Sequence, residues 1–492
     1  MSITPTYPGI YMQEIPSGGQ SITGVATSIT AFIGRALRGP VNEPITINSY
    51  ADFERIFGGL WVNSTLGYAV RDFYQNGGSQ AIIVRLYSSN DDNATAGETI
   101  SGLQFQAASP GSWGNALEVA LDDDVLEDGA FNLTVTDTAT GTVERFLNLS
   151  TAQEATRRVD KVLEDESQLL HADGNSWSGT PPAAATATLS GGSDGNALSA
   201  TDFTENEAAK TGIYALEKAD LFNLLCIPPF AADGDIDTGL MATAATYCEK
   251  RRAMLIIDPP VGWTNKDAAK TGISQITTSK NAAIFFPRLC QPNPLQDNQM
   301  EEFAPCGAIA GVFARIDAQR GVWKAPAGLD ATLNGVPDLS LSLTDAENGE
   351  LNPLGLNCLR ILPAVGRVVW GARTRQGDDR LASEWKYIPV RRLALYIEES
   401  LYRGTQWVVF EPNDEPLWAQ IRLNVGAFMH NLFRQGAFPG SSPTDAYFVK
   451  CDKETTTQND INLGIVNIVV GFAPLKPAEF VIISLQQMAG QV

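Results

Sequence analysis

Apolar runs alternate with amphipathic segments between residues 201 and 320. Three apolar runs predict buried strands: LFNLLCI (221–227), AMLIID (253–258) and AAIFF (282–286). The segments with helical spacing are 236–252, 264–280 and 305–319. Strands that alternate with helices are typical of βαβ units, in which helices cover both faces of a parallel sheet. We therefore predict an α/β domain over residues 201–349.

The stretch 21–87 predicts a smaller α/β part of the core. Two segments of helical spacing, 50–57 and 66–73, precede the buried strand AIIVRLY (81–87). The pair Gly77–Gly78 lies between helix and strand, where glycine commonly ends a helix. With the apolar run Ile29–Ile33, which ends in Gly34, these elements predict a small α/β unit.

Residues 88–200 have a different character, with many Asp, Asn, Thr, Ser and Gly. Short runs of alternating polarity are typical of antiparallel strands: Leu117–Leu121, Phe131–Thr136 and Val143–Leu149. One amphipathic helix is predicted within 152–170, followed by a loop to about residue 196. We interpret this stretch as a β-rich inserted module that faces outward.

The remainder, 350–492, predicts a mixed α/β domain. In its first helix one face carries Val390, Leu393, Ile397 and Leu401. In the second helix Asp414 is the predicted N-cap and Pro416 fits the first turn. The apolar stripe of this second helix is Leu417, Ile421, Val425, Phe428 and Leu432. Two apolar runs near the end of the chain predict strands: IVNIVVG (465–471) and EFVIISL (479–485).

Residues 1–20 predict an extended arm. Prolines and glycines exclude a helix: Pro5, Pro8, Pro16, Gly9, Gly18 and Gly19. Four side chains are nevertheless too apolar for a free tail: Ile10, Tyr11, Met12 and Ile15. Such a strand either pairs with a sheet in another molecule or packs against its own domain, and the sequence leaves both alternatives open.

The charge of the chain bears on its partners. The formal net charge is −21, with a sequence pI near 4.5. Nucleic acid and anionic membranes need a positive surface, so we expect neither as a partner. The sequence has no membrane-length apolar run, and its N-terminus lacks the basic start and apolar core of a secretory signal. We expect assembly in the cytoplasm of the producing cell, with release by lysis.

Residue types that carry chemistry are scarce. The six cysteines are widely spaced without a C-x-x-C pair, and the chain has only two histidines, His171 and His430. A structural zinc site is therefore not expected, and six reduced thiols are. A serine hydrolase needs a base histidine, yet neither histidine lies in the α/β domain. No phosphate-binding glycine motif follows a strand. We predict no catalytic residue, no cofactor and no metal.

Several blocks together resemble contractile tail sheath proteins of phages, tailocins and extracellular contractile injection systems. The C-terminal blocks are RGVWKAPAG (320–328), GRVVWGARTR (366–375), YIPVRRL (387–393), VVFEPND (408–414) and APLKPAEFV (473–481). The N-terminal blocks are YPGIYMQEI (7–15), VATSITAFIGRALRGP (25–40) and NGGSQAIIVRLY (76–87), and LSGGSDG (189–195) resembles a sheath segment at the start of the next domain. The resemblance covers about 1–87 and 190–492.

The resemblance implies a structural protein whose subunits stack as six-fold rings around an inner tube and contract. It implies a subtilisin-like fold for the central α/β domain and a C-terminal sheath domain over 350–492. It also implies an inner tube protein, a baseplate and a terminator or cap protein as partners. A single undivided chain points away from the type VI secretion sheaths, which divide the same task between two proteins. The alternatives are a non-contractile shell or filament protein and a degenerate α/β hydrolase.

The resemblance also implies that terminal arms add strands to sheets of neighbouring copies. The donated strands would be the arm with Ile10, Tyr11, Met12 and Ile15, and the terminal strand with Phe480, Val481, Ile482, Ile483 and Leu485. The receiving sheet would contain Ile465, Val466, Ile468 and Val470. The alternative for 479–485 is a strand internal to its own chain. Contact with the inner tube is assigned to Arg422 and Arg434 on the second C-terminal helix, where both could instead form ion pairs within the domain.

Overall fold

The computed structural model describes residues 21–88, 94–125, 129–172, 177, 179–204 and 206–484. The chain divides into two compact units. The larger is Ala26–Arg392, and the smaller combines 21–25 with 393–484 among the described residues.

Strands and helices of the larger unit follow one another along the chain. Its strands are β1 (Thr30–Gly34), β2 (Ile45–Ile47), β3 (Ala81–Arg85), β4 (Gly97–Ile100), β5 (Leu103–Ala107), β6 (Leu117–Asp122), β7 (Phe131–Asp137), β8 (Thr142–Leu149), β9 (Leu170–His171), β10 (Ala185–Thr188), β11 (Leu224–Cys226), β12 (Met254–Ile257), β13 (Ala282–Phe286), β14 (Leu289–Asn293), β15 (Gln299–Phe303), β16 (Asp338–Leu339), β17 (Asn357–Leu362) and β18 (Gly366–Val369). Its helices are α1 (Tyr50–Phe57), α2 (Leu66–Gln75), α3 (Val159–Glu166), α4 (Ala200–Thr204), α5 (Thr238–Lys250), α6 (Lys266–Gly272), α7 (Cys306–Arg320) and α8 (Asp345–Leu351). Helix α9 (Ile388–Gly404) begins in this unit and ends in the smaller one.

An eight-stranded sheet forms the centre of the larger unit, in the order β18–β17–β13–β12–β11–β1–β3–β2. Its six inner strands pair in parallel, and only the two outermost pairings are antiparallel. Every residue of β1, β3, β12 and β13 is buried. Both faces of the sheet are therefore covered, as the continuous apolar runs predict.

Two apolar layers lie on opposite faces of this sheet. Alternate residues of β1 enter different layers, with Ala31 and Ile33 on the side of α5 and Phe32 on the side of α2 and α7. Helices α2 and α7 cross closely at Gly307 and Gly311. A side chain at either glycine would collide with a main-chain carbonyl of α2, so the crossing requires the absence of a Cβ there.

The inserted stretch builds its own sheets within the larger unit. Strands β10, β6, β7 and β8 form an antiparallel sheet, and β4, β5 and β9 form a second one. Their inward side chains and helix α3 enclose a separate apolar core. The alternating burial of β7 matches the alternating polarity of its sequence.

The smaller unit contains the end of α9 and the last elements of the chain. These are α10 (Glu415–Arg434), α11 (Pro443–Ala446), β19 (Tyr447–Lys450), α12 (Gln458–Asn462) and β20 (Val469–Phe472). The Asp414 carboxylate accepts from the main-chain N–H of Leu417, which satisfies one of the free donors at the start of α10. Helices α9 and α10 contact each other through Tyr396 and Phe428, whose ring centroids are 6.1 Å apart.

Most predicted elements are confirmed. The three strands and three helices of 201–320 are present within two residues of their predicted ends or as shorter pieces, and the apolar stripe of α10 is buried throughout. The predicted strand at 465–471 is shorter, since only Val469–Phe472 pairs with another strand.

The domain boundary predicted at residue 350 differs from the structure. Strand β17 pairs in parallel with β13, and β18 pairs with β17, so the larger unit extends to Arg392. Strands β1–β3 from the predicted small α/β part also join this sheet, through the pairing of β1 with β11. Both differences arise because strands far apart in sequence pair with each other, which local periodicity does not reveal.

Candidate assembly interface

An exposed apolar segment lies near the end of the described chain. Phe480, Val481, Ile482 and Ile483 expose 73%, 80%, 90% and 78% of their surface. They belong to no strand of their own chain, so the internal strand that was the alternative for 479–485 is not formed over the described residues 479–484. Four consecutive large apolar side chains in water are a costly arrangement, and such surfaces mark sites of association.

A two-stranded antiparallel sheet lies in the same unit. Strands β19 and β20 pair with Tyr447 opposite Phe472 and Lys450 opposite Val469. Among the residues that the structure describes, no third strand joins them. A two-stranded sheet has an edge on each side, and an edge strand is a template for pairing with another chain.

The hairpin β19–β20 is fixed to the body of the smaller unit on one face. The ring of Phe438 lies 6.2 Å from that of Tyr447 and 5.9 Å from that of Phe472. The opposite face carries Phe448 and Val469, which are 51% and 44% exposed. The sheet is therefore held in place on one face, while Phe448 and Val469 on its other face are exposed to solvent.

The predicted receiving residues lie at or before β20. Val470 is within β20, whereas Ile465, Val466 and Ile468 precede it. Ile465 is 42% exposed, and its carbonyl accepts from the side-chain amide of Asn413 at 2.9 Å. Of the four predicted receiving residues, only Val470 lies in a paired strand, and the receiving role stays a prediction. Residues Ile10, Tyr11, Met12, Ile15 and Leu485 of the predicted donated strands lie outside the described residues.

The two arginines predicted to contact the tube have different surroundings. Arg422 donates to the Glu415 carboxylate at 2.6 Å and to the main-chain carbonyl of Cys451. The bond to the Glu415 carboxylate raises the pKa of Arg422. Arg434 is exposed, and no ion pair joins it to any described residue. Arg422 is therefore engaged within its own unit, whereas Arg434 has no ion pair among the described residues.

The arginines of the C-terminal sequence blocks hold the larger unit together. Arg373 is fully buried and donates to the Gly377 carbonyl and to Asp379, each at 3.0 Å. Arg375 donates to the carbonyls of Leu354 and Ile273, both at 3.1 Å. These side chains bind main-chain oxygens of their own unit, which is a structural role. The sequence blocks alone do not reveal this role, because the Ile273 carbonyl lies 102 residues from Arg375.

The surroundings of the histidines, cysteines and acidic side chains bear on whether a metal or catalytic site could form. It contains no group of three His, Cys, Asp or Glu side chains that could hold a metal ion. His171 pairs within a sheet of the inserted module, and His430 lies on α10 beside Phe433. Burial raises the pKa of the thiols, in Cys358 to about 12 and in Cys451 to about 11, and so favours the thiol over the nucleophilic thiolate. No described helix is long and apolar enough to cross a bilayer.

Comparisons with known proteins identify the family. A sequence model described as the phage tail sheath protein central domain matches residues 204–375. A second model, described as the phage tail sheath C-terminal domain, matches residues 382–487. Together they cover more than half of the chain. The chain belongs to the phage tail sheath family. It is thus a member of a family of structural proteins, and the resemblance found in its sequence blocks is confirmed.

Individual sheath proteins agree with this assignment. The chain is 25% identical over 452 residues to the tail sheath protein of Burkholderia phage BcepMu, which covers 88% of this chain and 87% of that protein. The sheath of PVC, an extracellular contractile injection system, in its contracted state matches 99% of both chains with a TM-score of 0.63 and 22% identity. The contracted helical sheath of the anti-feeding prophage matches 98% of this chain and 100% of that chain, with a TM-score of 0.59 and 24% identity. The fold over nearly the whole chain is that of sheath subunits.

Proposed function

We propose that this protein polymerises as stacked six-fold rings around an inner tube and contracts from a metastable extended state to drive the tube through a target envelope. Membership of the tail sheath family supports a place in such a particle. One structural observation carries the proposal. The unit that holds this two-stranded sheet also carries four consecutive exposed apolar residues, 480–483, that join no strand among the residues that the structure describes.

Strand exchange supplies a physical means of linking copies. A five-residue strand that joins an edge forms about four or five main-chain hydrogen bonds, each contributing a net ~0.5–1.5 kcal/mol. Burial of apolar side chains adds roughly 25 cal/mol per Å². The terminal segment of one copy, Phe480–Ile483 with Leu485, is the proposed donor, and the β19–β20 hairpin of the next copy is the proposed acceptor.

The N-terminal arm is the second proposed link. Its apolar residues, Ile10 to Ile15, are flanked by proline and glycine, which favours an edge strand over a helix. Two links per copy would make a continuous mesh, and a mesh keeps copies attached while rings rotate past one another. Removal of residues 2–16 should leave a folded subunit that forms no contractile sheath.

The particle would also contain proteins other than the sheath subunit. We propose an inner tube protein, a baseplate and a terminator or cap as partners. On the tube side, Arg434 is the cation that α10 offers to acidic groups, since Arg422 is engaged with Glu415. Reversal of charge at Arg434 should weaken assembly on tubes. Reversal of charge at Arg422 should instead lower the stability of its own domain, because Arg422 is bonded to Glu415 there.

The central domain would share its layout with subtilisin-like folds. A parallel sheet with helices on both faces supports this description. Contraction would draw on free energy stored during assembly, because more surface between copies is buried in the shorter state. Nucleotide would not be required, so purified sheaths should shorten in mild acid or denaturant without ATP.

Truncation tests the proposed assembly directly. A chain that ends at Lys476 lacks the proposed donor segment but keeps the hairpin and the core. We expect it to remain folded by circular dichroism and to form no sleeves in negative-stain electron micrographs. The full chain with V143S and L147S, two exposed positions of the inserted module, is the matched control and should still assemble.

The micrographs also separate the alternatives. Sleeves in a long and a short form support contraction, and sleeves of one length under every condition support a non-contractile filament protein. Normal sleeves from the truncated chain would contradict the donor role of the terminal segment.

A further inference from the structure

A cavity opens beside the carboxyl ends of two strands of the central sheet. Strand β12 ends at Ile257 and β13 at Phe286, and because these strands are parallel, the loops that follow them lie at the same edge. Open α/β sheets bind ligands outside this edge. The cavity has a volume of about 70 Å³, several times the space that one water molecule needs. Its lining includes Pro259, Trp263, Phe286, Arg288, Glu302 and Ser340.

Hydrogen bonds of Arg288 hold the walls of the cavity in place. Its Nε donates to the carbonyl of Pro259 at 3.0 Å, and its terminal nitrogens donate to the carbonyls of Ala232 at 2.7 Å and Gly234 at 2.9 Å. These bonds join the loop after β11 to the loop after β12. The cavity is therefore formed before a ligand arrives, and a preformed site binds at a lower entropic cost.

The charge of Arg288 is compensated within the chain. The guanidinium is 4% exposed and forms an ion pair with the Asp235 carboxylate at 3.3 Å. Glu302, by contrast, lines the cavity and is exposed, so its carboxylate lies at the opening. Among the described residues, none forms an ion pair or a hydrogen bond with that carboxylate. The opening therefore carries an uncompensated negative charge.

A second carboxylate adds to this negative charge. In the small sheet β15–β14–β16, Glu302 lies opposite Cys290 on one side and Asp338 lies opposite it on the other. Directly opposed residues project from the same face of a sheet, so the two carboxylates flank one thiol. Burial, and then the charges of Glu302 and Asp338, raise the pKa of Cys290. This shift agrees with a negative potential beside the cavity.

Aromatic side chains form part of the cavity wall. The rings of Trp263 and Phe286 both line it, with centroids 6.0 Å apart and planes at 70° to each other. Aromatic rings attract cations through their negative faces. Pro259 and Val261 extend the apolar wall, and the hydroxyl of Ser340 supplies a hydrogen-bond acceptor. Apolar walls with a carboxylate at the opening match an alkyl chain that carries a positive charge.

We propose that this cavity binds one positively charged group, an ammonium or a guanidinium on a short alkyl chain, with Glu302 as its counter-ion. The inference goes beyond the proposed function, because neither strand exchange nor contraction requires such a site. The same chemistry has two sources, which are a lysine or arginine side chain of a second copy and a free amine in solution.

Ethylguanidinium and ethylurea are matched probes of the cavity, because they have nearly the same shape and only the first is charged. Binding to the unassembled full-length subunit is followed by NMR of the tryptophan indole N–H groups. The signal of Trp263 is identified by its absence in W263F. We expect ethylguanidinium to shift this signal until it saturates, and ethylurea and acetate to bind at least about tenfold more weakly.

The variants E302Q and E301Q test the role of the carboxylate. E302Q removes the charge at the opening and keeps the shape of the side chain. Glu301 is the next residue of β15 and accepts from the side-chain amide of Asn293 at 2.8 Å, a bond that glutamine also accepts. We expect E302Q to weaken binding of ethylguanidinium at least about tenfold and E301Q to leave it within a factor of about two.

Three results would overturn the site: equal binding by the two variants, equal binding of ethylurea and ethylguanidinium, or no saturable shift of Trp263 in the wild type. These measurements use the free subunit. A chain that binds ethylguanidinium but forms no sheath would therefore contradict the proposed function and leave the site in place.

Assembly experiments distinguish the two sources of the cation. If a side chain of a second copy fills the cavity, E302Q should raise the critical concentration for sheath assembly at least about tenfold. Ethylguanidinium, but not ethylurea, should then inhibit assembly of the wild type. If the ligand is a free amine, E302Q should assemble like the wild type, and sedimented sheaths should still bind ethylguanidinium.

Discussion

At the scale of single residues, buried ion pairs hold the larger unit together. Arg392 donates to both carboxylate oxygens of Asp317, at 2.8 and 2.6 Å, and also to the carbonyl of Thr27. The side chains of the pair are 3% and 4% exposed. Two main-chain segments far apart in sequence meet there. The sequence places Arg392 in a recognisable block but does not reveal its partner, because the contact spans 75 residues.

Removal of one partner of the Arg392–Asp317 ion pair should lower the free energy of unfolding. The variant D317A leaves the guanidinium of Arg392 buried without a counter-charge, which typically costs about 3–5 kcal/mol. The matched control D330A breaks the exposed pair Arg320–Asp330, whose side chains are 55% and 54% exposed, and should cost about 0–1 kcal/mol. Urea unfolding of the unassembled subunit measures both. If D317A and D330A lower the free energy of unfolding by a similarly small amount, the structural role of the buried pair is contradicted.

A second buried carboxylate links stability to pH. Burial raises the pKa of Asp258 to about 6, above the ordinary value near 3.9, although its Oδ1 accepts from the N–H of Cys306 at 2.8 Å. The folded state thus binds a proton more tightly than the unfolded state. The contribution of Asp258 to stability is therefore greatest below about pH 4 and is lost as the pH rises through about 6.

Neutralising Asp258 should remove this dependence. At pH 7.5 the variant D258N should be more stable than the wild type by about 1–3 kcal/mol, because it avoids burying a charge. The difference should shrink as the pH falls toward 4. Unfolding measured at several pH values tests this, with D233N at an exposed aspartate as the control. A difference that stays constant with pH would contradict the assignment.

At the scale of elements, the local pattern of apolar and polar residues was sufficient to predict most helices and strands. The stripe of α10 and its Asp414 cap follow from spacing and residue type alone. The boundary at residue 350 was misplaced because β17 and β18 complete a sheet that begins at β1, and such pairing is not local. Strand β19 was not predicted, since its four residues contain little of the periodicity that marks a strand.

The hairpin depends on one glycine for its packing. The ring of Phe448 lies over Gly471, directly opposite in the ladder, where a Cβ would collide with it. We expect G471A to push the ring off the sheet, lower the melting temperature of the smaller unit and reduce assembly. In the double variant F448A/G471A the collision is absent, so part of the lost stability should return. Additive losses in the double variant would show that the two residues do not interact.

At the scale of the whole molecule, repulsion between negatively charged copies opposes assembly. The free energy gained from apolar contacts must exceed this repulsion. Each copy carries a formal charge of −21, so copies repel one another across any shared surface. The proposed links act at short range through main-chain bonds and apolar side chains. Assembly therefore combines a long-range repulsion with a short-range attraction.

Salt should accordingly promote polymerisation. The Debye length falls from roughly 30 Å at 0.01 M to about 8 Å at 0.15 M ionic strength, which screens repulsion between copies but not the burial of apolar strands. We expect light scattering to show faster assembly at the higher ionic strength. The truncated chain that ends at Lys476 should show no assembly at either. Slower assembly of the full chain in salt would mean that attraction between opposite charges dominates the interface.

The central claim is that the terminal segment of one copy completes a sheet of another. A cryo-electron microscopy map of the assembled sheath, at a resolution that traces the main chain, tests it most directly. The account predicts that residues 479–484 leave their own subunit and join the β19–β20 sheet of a different copy. A map in which the segment returns to the hairpin of its own chain, with no strand crossing between copies, would contradict it.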